Sequence, residues 1–431
     1  MSHYGRLIMI GLDGVPFELL RDLAERGIMP VFRRLIRSGF FHPAESTIPE
    51  ISSVAWSSII TGKNAAQHGI FGFMDIPRGT YRVSFPNFNS LKADAFWMSD
   101  PERSIIINVP ATFPVRALNG IHISGFVSLD MARSVYPGDL IPLLEENDYR
   151  IDVESEKAHQ SLELFLRDLD KTLDARGRVA RELWKKEGWK NFMLVFTGTD
   201  RLMHFLWNAY EDKSHRHHTG FLDHFRKIDS IVGELLDDIR EEDILICLSD
   251  HGMERLDLNV YINYILRDKG FLALPPATGL FSDVDCHTKA FSLDPARIYV
   301  NKRDKYPRGS VCASDVRRIC DDLIDLFREI EVDGKKLCKS IYRKEEVFTG
   351  PLLDDAPDLV LVGNEGLNLH SSLKASSIAD KPIFTGKHTQ HNAFMLAKDI
   401  DKDFVFKSEL TVTNILHIAE EIKHSRGVTH E

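Results

Sequence analysis

The segment TGTDRLMHFLW, residues 197 to 207, places Asp200 and His204 four residues apart, directly after the apolar run NFMLVF. Side chains at positions i and i+4 share one face of a helix, so this carboxylate and imidazole can bind the same cation. One such pair is a weak indication, because an Asp at a helix start often only caps the helix. A metal site therefore requires further ligands elsewhere in the chain.

Further acids and histidines follow other apolar runs. Asp13 follows IMIGL, Asp250 and His251 follow ICLS, and His388 lies in TGKHTQHNAF. With the first pair, these residues supply three carboxylates and three imidazoles, enough for two divalent ions with the mixed O and N ligands that suit zinc or manganese. Each Asp alone could cap a helix, but their joint occurrence after predicted strands favours a metal centre.

The segment STIPEISSVAWSSIITGK, residues 46 to 63, is rich in hydroxyl side chains around a predicted helix start. Backbone N–H groups and the helix dipole can bind an anion at such a position. A serine hydroxyl becomes a strong nucleophile only when a base or a metal stabilises its alkoxide. Any one of these hydroxyls can also be merely an N-cap; the candidates are Ser46, Thr47, Ser52, Ser53, Ser57 and Ser58.

Short apolar runs that end in polar or glycine-containing turns alternate with amphipathic segments along the chain. The runs are RLIMIGLDG, RSIIINVPA, NFMLVFTGTD, DILICLSDHG and DLVLVGNEG. Continuous apolar runs are typical of strands covered on both faces, so the pattern predicts a doubly wound, mostly parallel α/β sheet sandwiched by helices. Ligands of such sheets bind beyond the carboxyl ends of the strands, where the acids of GLDG, TGTD and LSDHG fall.

Two regions fit this alternation less well, residues 76–190 and residues 301–354, which are rich in Pro, aromatic residues and changes of charge sign. We expect them to be insertions that form a cap. The sequence shows no internal repeat and no long flexible linker. The prediction is therefore one elaborated domain over residues 1–431.

Composition limits the classes of partner. The chain has 431 residues, 43% hydrophobic and 27% charged, as expected for a soluble globular protein with a large core. Its net charge of -10 argues against binding nucleic acid or an anionic membrane through bulk electrostatics. An anionic substrate would need a focused site.

The cysteines and the N-terminal segment indicate the compartment. Five cysteines, an odd number without CxxC spacing, favour reduced thiols over a disulfide framework; they are Cys247, Cys286, Cys312, Cys320 and Cys338. The segment MSHYGRLIMIGLDG lacks the features of a signal peptide, and no apolar run approaches the length of a membrane span. We expect a cytoplasmic protein that does not bind membranes.

Six separated segments together resemble the type I phosphodiesterase/nucleotide pyrophosphatase family of the alkaline phosphatase superfamily. In chain order they are GLDG, AWSSIITGKNAAQHGI, FTGTDRLMHFLW, LSDHGM, APDLVLV and GKH. The resemblance extends over nearly the whole chain and implies an alkaline phosphatase-like fold and a metal-dependent phosphoric ester hydrolase. It also implies a small phosphorylated substrate, such as a nucleotide, and two divalent ions, zinc or alternatively manganese.

The resemblance also implies roles for individual residues. In that family the nucleophile lies six residues before the Ser of an S-x-x-T-G element, and counting back from Ser58 gives Ser52, with Ser53 as the alternative if the register shifts by one. The family's G-x-H spacing selects His388 over His391. The implied ligand sets are Asp200, His204 and His388 for one ion, and Asp13, Asp250 and His251 for the other, with Ser52 beside the second. The implied reaction is in-line displacement at phosphorus through a phosphoseryl intermediate.

One position departs from the family pattern. Nucleotide pyrophosphatases carry an Asn three residues after the nucleophile, where this chain has Ala55. The candidate replacements for that lost donor are Lys63, Arg201 and Lys289, although each is also explained as an ordinary solvated or structural cation.

We therefore expect a two-metal hydrolase that cleaves phosphodiester or pyrophosphate-type bonds. A phosphomonoesterase or phosphotransferase on the same scaffold is the nearest alternative. From another class, a catalytically silent metal- or phosphate-binding protein is the alternative; such a protein would be expected to have lost ligands, and none of the six is missing.

Overall fold

A computed structural model describes residues 5–186, 188–275 and 279–428. The strands are β1 (Leu7–Leu12), β2 (Phe40–Ala44), β3 (Ser104–Val109), β4 (Gly120–Ser124), β5 (Val135–Tyr136), β6 (Asn191–Phe196), β7 (Ile244–Leu248), β8 (Gly252–Arg255), β9 (Leu258–Tyr261), β10 (Ala290–Leu293), β11 (Arg297–Val300), β12 (Glu331–Val332), β13 (Lys335–Lys336), β14 (Cys338–Arg343), β15 (Leu359–Gly363), β16 (Leu367–His370), β17 (Ala379–Asp380), β18 (Gly386–Thr389) and β19 (Ala393–Ala397).

The α-helices are α1 (Phe17–Glu25), α2 (Pro30–Ser38), α3 (Ser52–Thr61), α4 (Ala65–His68), α5 (Phe96–Ser99), α6 (Ile141–Glu146), α7 (Lys157–Gln160), α8 (Leu162–Trp184), α9 (Gly198–Glu211), α10 (His218–Leu236), α11 (Ile262–Asp268), α12 (Val316–Glu329), α13 (Lys344–Val347) and α14 (Ile415–Val428). Short 3-10 turns cover Phe88–Ser90, Gly138–Leu140, Phe281–Asp283, Ala313–Asp315 and Val412–Asn414. The chain divides into two compact units: residues 1–63, 87–253 and 388–431 form the first, and residues 64–86 and 254–387 form the second.

An eight-stranded sheet organises the first unit, with strand order β2-β19-β7-β1-β6-β3-β4-β5. Its central strands β7, β1, β6, β3 and β4 are parallel, whereas β19 and β5 run antiparallel to their neighbours. The predicted α/β fold with a mostly parallel sheet is confirmed. The two antiparallel strands were not predicted from the sequence.

Helices cover both faces of this sheet because the side chains of β1 are apolar in both directions. Ile8, Ile10 and Leu12 belong to a core that includes apolar residues of α1, α2, α8 and α10. On the other face Gly11 lies against Trp56 of α3, so closely that a Cβ atom there would be 2.4 Å from the indole ring. Glycine at this position therefore allows α3 to pack directly on the sheet.

The strands that precede the predicted ligands end at the same level. Leu12 of β1 pairs with Phe196 of β6, and Gly11 pairs with Leu248 of β7. The residues after these three strand ends consequently lie side by side along the carboxyl edge of the sheet. Parallel pairing thus brings together acids that are far apart in the sequence.

The second unit contains separate, smaller sheets. Strands β10, β11, β15 and β14 form an antiparallel sheet, and β16, β9 and β17 form another sheet of three strands. Apolar residues of these strands and of α11 and α12 build a second hydrophobic core. The run DLVLVGNEG, predicted as a strand of a parallel sheet, is β15 of this antiparallel sheet instead.

The predicted insertions contain parts of both units. Residues 104–124, which lie within the predicted insertion 76–190, contribute β3 and β4 to the main sheet. The second, 301–354, lies inside the second unit. A cap role for these segments stays a prediction, and so does the assignment of one domain to residues 1–431.

Two further expectations concern thiols and membranes. All five cysteines are free thiols, as their spacing predicted. Within the described ranges, no helix has both the length and the apolar character that crossing a bilayer requires.

Candidate functional site

Helix α3 begins at Ser52, and the residue before it, Ile51, still has extended backbone geometry. This change of direction presents the first hydroxyl of the helix to the carboxyl edge of the sheet. Ser52 Oγ lies 3.1 Å from His251 Nε2 and 3.4 Å from Asp13 Oδ1. The neighbouring Ser53 hydroxyl is buried and has no hydrogen-bond partner among the described residues. Of the two candidates, Ser52 is therefore the one beside the predicted ligands.

One group of ligand atoms consists of Asp200, His204 and His388. Nε2 of His388 is 3.0 Å from Asp200 Oδ1, and Nε2 of His204 is 3.3 Å from the same oxygen. The two imidazole nitrogens are themselves 2.9 Å apart. Three donor atoms thus converge on one point, as ligands of a single cation do. His391, the alternative to His388, is exposed.

The second group consists of Asp13, Asp250 and His251, whose ligand atoms lie within 4.8 Å of one another. All three side chains are buried, and Asp250 Oδ2 accepts no hydrogen bond within the described part of the chain, although His251 Nε2 lies 3.3 Å from it. A buried carboxylate oxygen that accepts no hydrogen bond is costly unless a cation binds it. The rings of His251 and His388 stack with centroids 3.7 Å apart, so the two groups adjoin.

Burial and neighbouring charges shift the pKa values of all three carboxyl groups. Burial, and then the charges of Asp250 and Asp200, raise the pKa of Asp13 well above its usual range. Burial raises the pKa of Asp250 to about 7, and the charge of Asp200 adds to this effect. Burial alone would raise the pKa of Asp200, but His204 and His388 hold that pKa well below its usual range. Carboxylates in this arrangement fit divalent cations, which favour the ionised form.

Several residues contact the candidate ligands, and sequence reasoning did not assign this role to them, although Ser46 was among the candidate hydroxyls. Trp56 Nε1 donates to Asp13 Oδ2 at 3.1 Å, and the Thr199 hydroxyl donates to the main-chain oxygen of Asp13 at 2.6 Å. The Ser46 hydroxyl donates to the main-chain oxygen of Asp250 at 2.6 Å. Outer partners of this kind fix ligand orientation in metal sites. The available signal was helical periodicity, because Trp56 lies four residues after Ser52.

Gly14 is required by the crowding at this edge. Its φ angle is +70°, and its N–H donates to Asp250 Oδ1 at 3.0 Å. A Cβ atom at this position would lie 3.1 Å from both Asp200 Oδ1 and His251 Cε1. The second glycine of GLDG therefore serves the site through both backbone conformation and space.

The three proposed substrate cations occupy different places. Arg201 is engaged by carboxylates, with Nη2 3.2 Å from Asp152 Oδ2 and Nη1 3.4 Å from Asp200 Oδ2, and it stacks on Phe126. Lys63 is exposed and follows the C-terminal end of α3. The helix between it and Ser52 is about 15 Å long at 1.5 Å per residue, and a substrate contact of Lys63 stays a prediction. Lys289 belongs to the second unit, where Nζ lies 5.7 Å from the ring centroid of Phe271.

Comparison with known proteins gives the family and the fold of the chain. A family model described as type I phosphodiesterase / nucleotide pyrophosphatase matches residues 7–391. No curated protein matches the chain in sequence. Among solved structures, phosphonoacetate hydrolase from Sinorhizobium meliloti in complex with phosphonoacetate has a TM-score of 0.66 at 15% identity, covering 97% of this chain and 96% of that one.

A second similar structure is murine ectonucleotide pyrophosphatase / phosphodiesterase 5. Its TM-score is 0.56 at 13% identity, with 97% of this chain and 95% of that chain covered. At such identities the likeness establishes the fold, which is that of alkaline phosphatase-like enzymes.

The first prediction concerns the indole that orients Asp13. Trp56→Phe removes the hydrogen bond to Asp13 Oδ2 and keeps most of the ring volume, so we expect divalent metal affinity to fall by about tenfold or more. Chelator competition would measure it. Trp97→Phe is the matched control, because Trp97 is also buried in the first unit and its Nε1 has no partner among the described residues. Equal metal affinity in the two variants would contradict an orienting role for Trp56.

A second prediction concerns the pH dependence of metal-free protein. Asp250 has a pKa of about 7 in the folded chain and an ordinary value of 3.8, so between these values the folded state binds more protons than the unfolded state. The free energy of unfolding should therefore fall as pH rises from about 4 to about 7. Asp250→Asn should flatten this slope in denaturant titrations. Identical slopes in both proteins would show that Asp250 does not carry the shifted pKa.

Proposed function

The chain belongs to the type I phosphodiesterase / nucleotide pyrophosphatase family, and we propose that it is a two-metal hydrolase that cleaves phosphodiester or pyrophosphate-type bonds through a phosphoseryl intermediate on Ser52. The observation that carries this proposal is the convergence of two ligand groups beside one helix-start hydroxyl. Ser52 Oγ lies 3.4 Å from Asp13 Oδ1 and 3.1 Å from His251 Nε2, and both residues belong to the second group.

The family is metal-dependent, and the donor set described above fits divalent ions. When bound, two such ions would stabilise the serine alkoxide, neutralise phosphoryl oxygens and lower the pKa of water. The six ligands would be Asp13, Asp200, His204, Asp250, His251 and His388. We favour zinc, with manganese as the alternative, because imidazole and carboxylate ligands are mixed.

The protein's own groups perform the covalent chemistry. Ser52 Oγ attacks phosphorus and gives its proton to solvent, while the P–O bond to the alcohol or phosphate leaving group breaks on the opposite side and the departing oxygen takes up a proton from solvent. Backbone N–H groups at the start of α3 are placed to donate to the phosphoryl oxygens. Water then attacks the phosphoserine in line, which releases the phosphate product and regenerates the hydroxyl.

Substrate class depends on which groups donate a hydrogen bond to the phosphoryl oxygen that neither metal ion would neutralise. Ala55 is buried inside α3 and offers no donor in the position of the family's Asn. Arg201 is held by Asp152 and Asp200, and Lys63 follows the far end of α3. A monoester carries one more charged oxygen than a diester, so the missing donor should disfavour monoesters more. These contacts support a diesterase over the monoesterase or phosphotransferase alternative.

The alternative from another class of function is a binding protein without catalytic activity. A catalytically silent binding protein would bind phosphate compounds without turnover. The presence of all six candidate ligands beside the Ser52 hydroxyl supports an enzyme instead. The compartment is proposed to be the cytoplasm because the thiols are unbridged and odd in number. The proposed substrate is a small phosphorylated compound, such as a nucleotide.

The nucleophile can be tested with adjacent serines. Ser52→Ala should lower kcat by at least about a thousandfold while metal content stays near normal, because Ser52 is the proposed covalent acceptor and six other ligands remain. Ser53→Ala is the matched control and should retain most activity, since its hydroxyl contacts no ligand. Loss of activity in Ser53→Ala but not in Ser52→Ala would show that the nucleophile is Ser53.

The substrate class can be tested with nitrophenyl esters after metal reconstitution. We expect kcat/KM for bis(p-nitrophenyl) phosphate to exceed that for p-nitrophenyl phosphate, because one missing oxyanion donor weakens catalysis by about a hundredfold. Phosphonoacetate should be included in the screen. Monoester preference would contradict the diesterase proposal, and absence of turnover on every ester at full metal occupancy would favour the silent binding protein.

A further inference from the structure

A cleft of about 600 Å³ lies entirely within the second unit. Six cationic side chains line it, against four acids. The cations are Arg78, Lys302, Lys305, Arg317, Arg343 and Lys344. This concentration of positive charge is unusual in a chain with a net charge of -10. None of these residues belongs to the proposed metal centre.

Four of the six cations have carboxylate partners. Lys302 Nζ lies 2.9 Å from Asp358 Oδ1, and Lys344 Nζ lies 4.0 Å from the same oxygen. Arg78 pairs with Asp304 at 3.9 Å, and Arg343 pairs with Asp321. Lys344 Nζ also lies 4.0 Å from Asp354 Oδ1, and the four acids that line the cleft still leave two of its six positive charges in excess.

The other two cations, Lys305 and Arg317, have no carboxylate partner within 4.0 Å in the part of the chain that the structure describes. Lys305 is only 4% exposed, and its ammonium donates to the main-chain oxygens of Asp354 and Asp355, each at 3.1 Å. Burial, and then the charge of Lys302, lower its pKa to about 8. The ammonium also lies over the rings of Tyr299 and Tyr306, 5.4 Å and 5.8 Å from their centroids. Carbonyl groups and aromatic faces compensate a buried cation only in part, so an anion in the cleft would stabilise it further.

Arg317, in contrast to Lys305, is exposed. It lies in the first turn of α12 and lines the cleft. Its guanidinium forms no ion pair with the described residues and can turn toward a ligand. Guanidinium and ammonium groups together are the usual protein partners of phosphate.

We propose that this cleft binds a small phosphate-bearing anion. A dianionic phosphoryl group satisfies both Lys305 and Arg317, which a single carboxylate does less well. No aromatic side chain lines the cleft among the described residues, so recognition rests on the phosphate rather than on stacking of a base. The proposal is independent of the reaction assigned to Ser52.

The test is a calorimetric titration of inorganic phosphate into the full-length, metal-loaded protein and two variants. Arg317→Glu reverses a charge that lines the cleft. Arg318→Glu is the matched control, since Arg318 is the adjacent exposed arginine, does not line the cleft, and forms only surface ion pairs with Asp315 and Asp322. Phosphate bound at the proposed metal centre contributes equally to all three titrations.

We expect wild type and Arg318→Glu to show two classes of phosphate site, and Arg317→Glu to weaken one class by about tenfold or more. Esterase activity and melting temperature of Arg317→Glu should match those of Arg318→Glu, because both changes are on the surface. A single class of site in the wild type, or the same isotherm in both variants, would overturn the proposal. Failure of the Ser52 chemistry would leave the expected titration unchanged, so the two proposals are separable.

Discussion

Burial of three neighbouring carboxylates, and then the repulsion between them, is the constraint on which the candidate site depends. Parallel pairing brings Asp13, Asp200 and Asp250 to one edge of the sheet, where burial removes the solvent that would screen them. His204 and His388 compensate Asp200, and Arg201 adds a further positive charge. The raised pKa values of the other two acids show that this compensation is incomplete. Divalent cations are the simplest remaining source of charge.

Packing on the opposite face of the sheet serves the same site. Gly11 leaves room for Trp56, so α3 can lie directly on β1. The indole then reaches Asp13, while the start of the same helix carries Ser52 to His251. One helix thus positions both an orienting group and the proposed nucleophile, and its close packing makes their separation nearly fixed.

The two units differ in how they handle charge. In the first, carboxylates and imidazoles lie close together, an arrangement that favours the binding of cations. In the second, Lys302 and Lys344 share Asp358, and Lys305 and Arg317 have no carboxylate partner among the described residues. A phosphorylated compound is the kind of ligand that would suit both environments, through metals in one case and direct contact in the other.

The sequence alone determined the parallel α/β architecture, because continuous apolar runs and strand-end acids are local patterns. It also identified all six candidate ligands and placed Ser52 first among the serines, although the latter rested on family resemblance. Tertiary structure decided what depends on packing between distant segments. Such contacts select Ser52 over Ser53 as the hydroxyl beside the ligands, recruit Trp56 and Thr199, and place β15 in an antiparallel sheet. No local pattern records these outcomes, since each depends on which chain segments meet across the fold.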